Sequence, residues 1–260
     1  MNFNDCGILF ISIVDENLSY GHCTGDIKKS IDFLKSNMGD IDITVITNTP
    51  DEFKNVNTIY FKINKFDWGV KIKCLSMSPY NKTLYLDGDT TIVEPIYEIF
   101  EILNKFDLTL CHAPHRKIYE FDDVPDAFCE FNTGLIGYNI NNLDNFFDNW
   151  LEVYYDLKNN INKDKIISYS GKINDQPSMR KSLYTSDINF YVLPSEYNLR
   201  TIFPFMKGGN SSVKVLHGSC LININEINKE YDKIIVGYVN DSYNIKEFII
   251  EKRPLLKNEI

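Results

Sequence analysis

Leu84-Tyr85-Leu86-Asp87-Gly88-Asp89-Thr90 is the stretch on which the fold turns. It ends a strand-like segment, Lys82 to Leu86 (KTLYL), whose apolar residues run straight into Asp87-Gly88-Asp89. That strand delivers two carboxylates, two residues apart, at its C-terminal end. If the chain stays extended there, Asp87 and Asp89 point to one side. In an open α/β sheet, ligands bind outside the carboxyl ends of the strands. Gly88 permits close approach of a ligand or an unusual backbone angle. Two neighbouring carboxylates repel, so a divalent cation is a natural way to keep both ionised. Oxygen ligands suit Mg²⁺ or Mn²⁺, which in turn bridge to phosphate oxygens. A plain strand-to-turn boundary also uses Asp and Gly; the apolar strand before the pair favours the functional reading.

The surroundings supply the rest of an α/β pattern. Upstream, Gly7 to Val14 is a continuous apolar, β-branched run that predicts a buried strand. Thr24 is placed to cap a helix whose Ile27, Ile31 and Leu34 recur at helical spacing. Ile41 to Thr47 and Thr58 to Ile63 read as further strands, and Val70 to Met77 as a helix. Downstream, Pro95 is predicted to open a helix with Ile96, Ile99, Phe100 and Leu103 on one face. Leu108 to Cys111 is a short strand. Asn132-Thr133-Gly134 precedes another, Leu135 to Asn139. Asn142 is a candidate cap for a helix burying Leu143, Phe146, Phe147, Trp150 and Tyr154. Ile188 to Leu193 and Val213 to Leu216 are late strands. Lys158 to Lys165 reads as a mobile insertion. After Asn225 the pattern is weak. Strands alternating with helices predict a mostly parallel central sheet flanked by helices.

Composition narrows the function. The chain has 260 residues, and that length favours one domain. A net charge of −9 argues against a nucleic-acid partner, which needs a basic face to neutralise phosphates. It permits a nucleotide bound through a metal ion. The six Cys form no C-x-x-C pair and predict reduced, mostly buried thiols. No basic leader and no membrane-spanning apolar run is seen. A cytoplasmic location follows, at most peripheral to a membrane.

With these residues in view, Pro79 to Thr90 resembles the D-x-D region of glycosyltransferases of the GT-A fold, most similarly glycosyltransferase family 8 and related transferases. Other segments match in chain order. Phe131-Asn132-Thr133-Gly134 resembles the F-N-[ST]-G strand entry, Asn174-Asp175-Gln176-Pro177 the D-Q motif, and Leu216-His217-Gly218 the late metal-site histidine. Pro194 to Arg200 resembles the L-P-x-x-[YF]-N segment. The resemblance spans residues 7 to 220. It implies a GT-A-like single domain over 1–260, with a nucleotide-binding half (1–110), an acceptor half (111–225) and a C-terminal extension (226–260). It also implies a UDP- or GDP-linked sugar donor and a glycan or other hydroxyl acceptor.

Residue roles follow from the resemblance. Asp87, Asp89 and His217 would bind Mn²⁺ or Mg²⁺, which stabilises the departing diphosphate. On its own, His217 would read as a core or surface histidine. His22, His112 and His115 have no comparable partners, though His112 to Arg116 is a loop that would line the acceptor side as readily as stand in solvent. Asn132, with Gly134 beside it, would meet sugar hydroxyls, but turn chemistry explains N-T-G as well. Asp175 and Gln176 would meet the donor sugar; an Asp before Gln-Pro also fits a helix cap. The loop after the first strand, Ser12 to Tyr20, would receive the base, with Ser12, Val14 and Asp15 in contact; Tyr20 would stack on the base as readily as stand exposed or at the edge of the core. Lys71 is a candidate for the nucleotide, against a solvated lysine. The family's late motif continues into a diphosphate-binding Lys that is absent after His217-Gly218-Ser219-Cys220; Lys207 or the Gly208-Gly209 backbone would have to replace it. The D-Q motif and late His lean towards retention of configuration, and Glu196 is the candidate base for inversion.

Two other functions fit parts of the pattern. Asp87-Gly88-Asp89-Thr90-Thr91 matches the D-x-D-x-T of haloacid-dehalogenase-like phosphatases, with Asp87 as nucleophile and Asp122 and Asp126 as a later acidic motif. That motif normally follows the first strand of its fold, and the rival explains neither N-T-G nor D-Q. A non-catalytic nucleotide-sugar-binding module is the other.

Overall fold

The computed structural model describes residues 5–15, 24–63, 65–167, 173–200, 205–208, 210–218, 233–237 and 249–252, the last two ranges as backbone. Among the described residues, twelve strands and five α-helices follow in the order β1 (Cys6–Ser12), α1 (Thr24–Met38), β2 (Asp42–Thr47), β3 (Asn57–Tyr60), α2 (Trp68–Leu75), β4 (Lys82–Leu86), β5 (Thr90–Ile92), α3 (Glu98–Ile102), β6 (Leu108–His112), β7 (Phe131–Asn139), α4 (Phe146–Asn159), α5 (Gln176–Tyr184), β8 (Phe190–Val192), β9 (Phe205–Lys207), β10 (Val215–His217), β11 (Lys233–Gly237) and β12 (Ile249–Lys252). Seven strands form the central sheet in the order β3-β2-β1-β4-β7-β6-β8. Within it β7 runs against the others, and the rest are parallel. This is the mostly parallel α/β architecture the sequence predicts.

The alternation along each strand divides the core in two. On β1, Ile8 and Phe10 pack under α1 and α3, whereas Leu9 and Ile11 pack under α2, α4 and α5. Both sets are fully buried because helices cover both faces. On β4, Leu84 and Leu86 join the first set and Tyr85 the second. Asp87, two residues beyond Tyr85, therefore leaves the sheet towards α2 and α5.

Four expectations shift. Asn132-Thr133-Gly134 is not a turn before β7 but lies inside it, fully enclosed. The register against β6 jumps there, from Leu110↔Ile136 to Cys111↔Asn132, so the strand bulges at Thr133–Leu135. Pro95 stands three residues before α3, which is only five residues long, although Ile96, Ile99, Phe100 and Leu103 are buried as expected. Asn142 does not cap α4; it closes a 3₁₀ turn and donates to Asp107 at 2.8 Å, while Asn145 stands at the helix start. Lys158 lies in the last turn of α4, and Lys163–Lys165 form a 3₁₀ turn. Cys6, Cys74 and Cys111 are buried thiols and Cys129 is half-buried. Among the described residues, no helix is long and apolar enough to cross a membrane.

Candidate active site

Asp87 and Asp89 do not sit on extended chain. The backbone turns at once, with the Thr90 N–H and hydroxyl both donating to Asp87 O, at 3.2 and 2.7 Å. β5 then pairs antiparallel with β10, setting Thr90 opposite His217. The Gly218 N–H donates to Asp89 O at 3.0 Å, which locks the two segments together. The turn, rather than strand alternation, directs both carboxylates at one imidazole. His217 Nε2 is 3.7 Å from Asp87 Oδ2 and 3.3 Å from Asp89 Oδ1. One ligand atom from each of Asp87, Asp89 and His217 lies within 4.8 Å of the others.

The glycines serve this packing. A Cβ on Gly134 would lie 2.1 Å from His217 Cε1 and 2.8 Å from Asp87 Oδ2, so only glycine lets the ring reach the carboxylates. A Cβ on Gly88 would lie 2.5 Å from Ile27 Cγ1, so its absence lets α1 close on the turn.

The tautomer of His217 follows from a chain of hydrogen bonds. The Gly134 N–H donates to Asn132 Oδ1 at 3.0 Å, which fixes that amide's orientation. Asn198 Nδ2 must then donate to the same oxygen, at 2.8 Å. Asn198 Oδ1 is left facing His217 Nδ1 at 2.7 Å, so Nδ1 carries the proton. Nε2, the nitrogen facing Asp87 and Asp89, is the one that can offer a lone pair to a metal. A hard carboxylate pair with one correctly oriented imidazole suits Mn²⁺ or Mg²⁺. The residues present therefore fit a divalent cation.

The other face of Asp87 is spoken for. Its Oδ1 accepts from the Tyr85 hydroxyl at 2.5 Å and lies 3.2 Å from Lys71 Nζ. Lys71, from α2, is 1% exposed and also lies 3.1 Å from Asp175 Oδ2. It donates to Thr133 O at 2.9 Å, a carbonyl that the bulge turns towards it. Burial works to lower the Lys71 pKa, but the two carboxylates outweigh it and hold the ammonium above its ordinary value. Burial and the adjacent Asp87 push the Tyr85 phenol well up, so it stays a donor.

The predicted site residues thus fall into two groups. Asp87, Asp89, His217, Lys71, Asp175, Asn132 and Gly134 converge on one point. Asp175 stands before α5 as expected but does not cap it; Asn174 Oδ1 accepts the Gln176 N–H at 3.0 Å instead. Gln176 is the first residue of α5 and is half-buried. Ser12, fully buried, ends β1 at the same edge of the sheet. Asp15 accepts the Phe66 N–H at 2.9 Å, and Val14 is held by Asn48 through its own N–H and C=O. Tyr20 lies outside the described residues. Lys207 is turned inward, donating to Gly208 O and Ser211 O. Glu196 is buried, with Oε1 taking the Gly208 N–H and the Ser211 hydroxyl. Asp122 and Asp126 are exposed and paired with Lys165 and Lys117, so they contribute nothing to Asp87 and the phosphatase arrangement is absent. Sequence reasoning did not single out Asn198, Tyr85 or Thr133 as partners of these groups. The L-P-x-x-[YF]-N resemblance was the one signal at Asn198. A larger hollow, about 550 Å³ between α1 and residues 51–56, holds none of these residues.

No protein-family profile matches the chain, and no curated protein matches it in sequence. Solved structures do match in shape. Mouse xyloside xylosyltransferase 1, in its apo form, aligns with a TM-score of 0.54 at 13% identity, over 83% of this chain and 98% of that one. The glycosyltransferase GlyE of Streptococcus pneumoniae aligns with a TM-score of 0.49 at 14% identity, over 75% of this chain and 47% of that one. The first likeness establishes a GT-A-like glycosyltransferase fold, a scaffold on which the site has to argue the activity.

Proposed function

We propose that the chain is a metal-dependent glycosyltransferase, moving a sugar from a nucleoside diphosphate, UDP- or GDP-linked, to an acceptor hydroxyl. The observation that carries this is the convergence of Asp87, Asp89 and a His217 whose Nε2 faces them. Mn²⁺ or Mg²⁺ held there would supply Lewis-acid stabilisation of the diphosphate as it leaves. The bond from the anomeric carbon to the phosphate oxygen breaks with its electron pair on the diphosphate. The acceptor oxygen forms the new bond, and its proton passes to the departing phosphate or to solvent.

The chain's own groups set the stage for this. Lys71 keeps Asp87 and Asp175 ionised together, and Tyr85 restrains Asp87 so that its second oxygen stays on the metal side. Asp175 and Gln176 are assigned to the donor sugar, with Asn132 beside it, and Ser12, Val14, Asp15 and Tyr20 to the nucleotide. Gly88 and Gly134 flank the diphosphate. Retention of configuration is favoured because Glu196, the candidate base for inversion, is occupied by Gly208 and Ser211. Residues 1–110 form the nucleotide half, 111–225 the acceptor half, and 226–260 an extension. The motif order supports kinship with glycosyltransferase family 8.

Hydrolysis of nucleotide sugars with Mn²⁺ and with chelator tests this. Wild type is expected to turn over a donor only with metal. Asp89→Ala, at a partly exposed side chain, is expected to abolish turnover while circular dichroism is unchanged. Full activity in Asp89→Ala would sink the assignment. Donor binding without turnover across many acceptors would instead mark a binding module.

A further inference from the structure

The His112–Arg116 loop and the Pro194–Arg200 segment, far apart in sequence, line one cleft of about 320 Å³. One end is at the candidate metal cluster. Asn198, which orients His217, is part of its wall, and Arg200 Nη1 is 3.5 Å from His217 Nε2. The rest is built from the end of β6 and the connection that follows it, with Leu193 to Ser195 and, from β9, Phe205 and Met206. Arg116 is exposed and donates from Nη1 to Ala113 O at 3.4 Å. His112 stacks on Phe131 with ring centroids 5.0 Å apart and an interplanar angle of 13°. Its Nδ1 faces Glu130 O at 3.4 Å, so Nδ1 is the donor and Nε2 is left for a ligand.

The charge balance of this cleft is the reverse of the chain's. The chain carries −9 overall, yet the guanidiniums of Arg116 and Arg200 line the cleft beside His112 and, among the described residues, no carboxylate does. Burial lowers the His112 pKa, the Glu130 carbonyl partly offsets this, and the neighbouring Arg116 lowers it again. An anion bound in the cleft would be matched by the charge of Arg116 and Arg200. Guanidinium is also the group best suited to grip carboxylate or phosphate oxygens in pairs.

We propose that this cleft holds the acceptor, and that the acceptor carries an anionic group, a carboxylate or a phosphate, gripped by Arg116 and Arg200. Its hydroxyl is thereby presented at the Asp87–Asp89–His217 end. This rests on the glycosyltransferase reading of the site and adds the chemical class of the substrate.

The full chain, loaded with Mg²⁺, is titrated with glucuronate, with glucose 6-phosphate and with glucose, following the ring resonances of its histidines by NMR. The His112 signals are expected to shift with at least one anionic sugar, at an affinity about ten-fold above glucose. A response to glucuronate alone assigns a carboxylate, and a response to the phosphate alone assigns a phosphate. Arg116→Gln is expected to erase the difference between charged and neutral sugars. Equal binding of all three, no shift with any, or a preference unchanged in Arg116→Gln would overturn the proposal. So would displacement of glucuronate by UDP at His112, which would make the cleft part of the donor site. None of these readouts needs turnover, so failure of the parent reading shows separately, as absence of metal-dependent donor hydrolysis.

Discussion

Lys71 and Arg180 are both buried cations beneath the same face of the sheet, and they are satisfied in opposite ways. Lys71 faces two carboxylates, Asp87 at 3.2 Å and Asp175 at 3.1 Å. Arg180 is 0% exposed and donates to four peptide carbonyls: Phe128 at 2.5 Å, Pro125 at 3.0 Å, Tyr119 at 3.2 Å and Val124 at 3.5 Å. Carboxylates can exchange one cation for another. Peptide carbonyls are anchored in the backbone and can only hold the chain where it is. The Lys71 region is therefore built to take on a second cation, whereas the Arg180 region clamps residues 119–128, beside the wall of the acceptor cleft.

Metal rescue is the sharpest way to break this contrast. Lys71→Met leaves the buried Asp175 and the partly buried Asp87 carboxylates without their cation and is expected to cost about 3–5 kcal/mol. Saturating Mn²⁺ should restore a large part of it, because the ion supplies the missing charge. Arg180→Met strands several carbonyls at about 1–3 kcal/mol each, and Mn²⁺ should restore none of that. Urea unfolding with and without Mn²⁺ decides; equal rescue of both variants would erase the distinction.

Glu130 tests the Arg180 side by pH. Burial pushes its carboxyl up to about 7, opposed by the Ile118 N–H and by Arg180. Its Oε2 has no hydrogen-bond partner among the described residues. The folded chain thus keeps a proton that the unfolded chain releases near its ordinary value of 4.5. Stability from this group falls as pH rises from there to the folded value, by a total on the order of 3 kcal/mol, and is level above it. In Glu130→Gln that slope should vanish, leaving the variant more stable than wild type in alkaline buffer. An identical pH–stability curve for the two proteins would assign the slope elsewhere.

The smallest expected effect sharpens the Lys71 side. Asn198→Ala frees His217 to rotate or change tautomer and should weaken Mn²⁺ binding about 10- to 100-fold, read by calorimetry. Asn132→Ala should act through the same chain of bonds, so the double variant should lose less than the sum. Unaltered Mn²⁺ affinity in Asn198→Ala would remove the relay from the account.

Much of the scaffold was legible because burial leaves a periodic trace. The alternation of Ile8 and Phe10 with Leu9 and Ile11 marked a strand covered on both faces. Ile27, Ile31 and Leu34 marked the helix over it. Asp87 and Asp89 stood out as charges at the end of such a strand. N-T-G misled locally, because Asn, Thr and Gly favour turns. Their place in β7 is set by the β4 and β6 strands on either side. Asp175 was legible as a helix start, but its side chain's partner was not.

The sequence by itself determined which segments pair with the core and that two carboxylates sit at the carboxyl edge of the sheet, since apolar spacing encodes burial directly. Only the tertiary structure decided what those carboxylates face. Lys71 meets Thr133 across 62 residues, Asn198 meets Asn132 across 66, and His217 meets Asn198 across 19. Hydrogen bonds and ion pairs depend on direction and distance in space, and periodicity along the chain records neither.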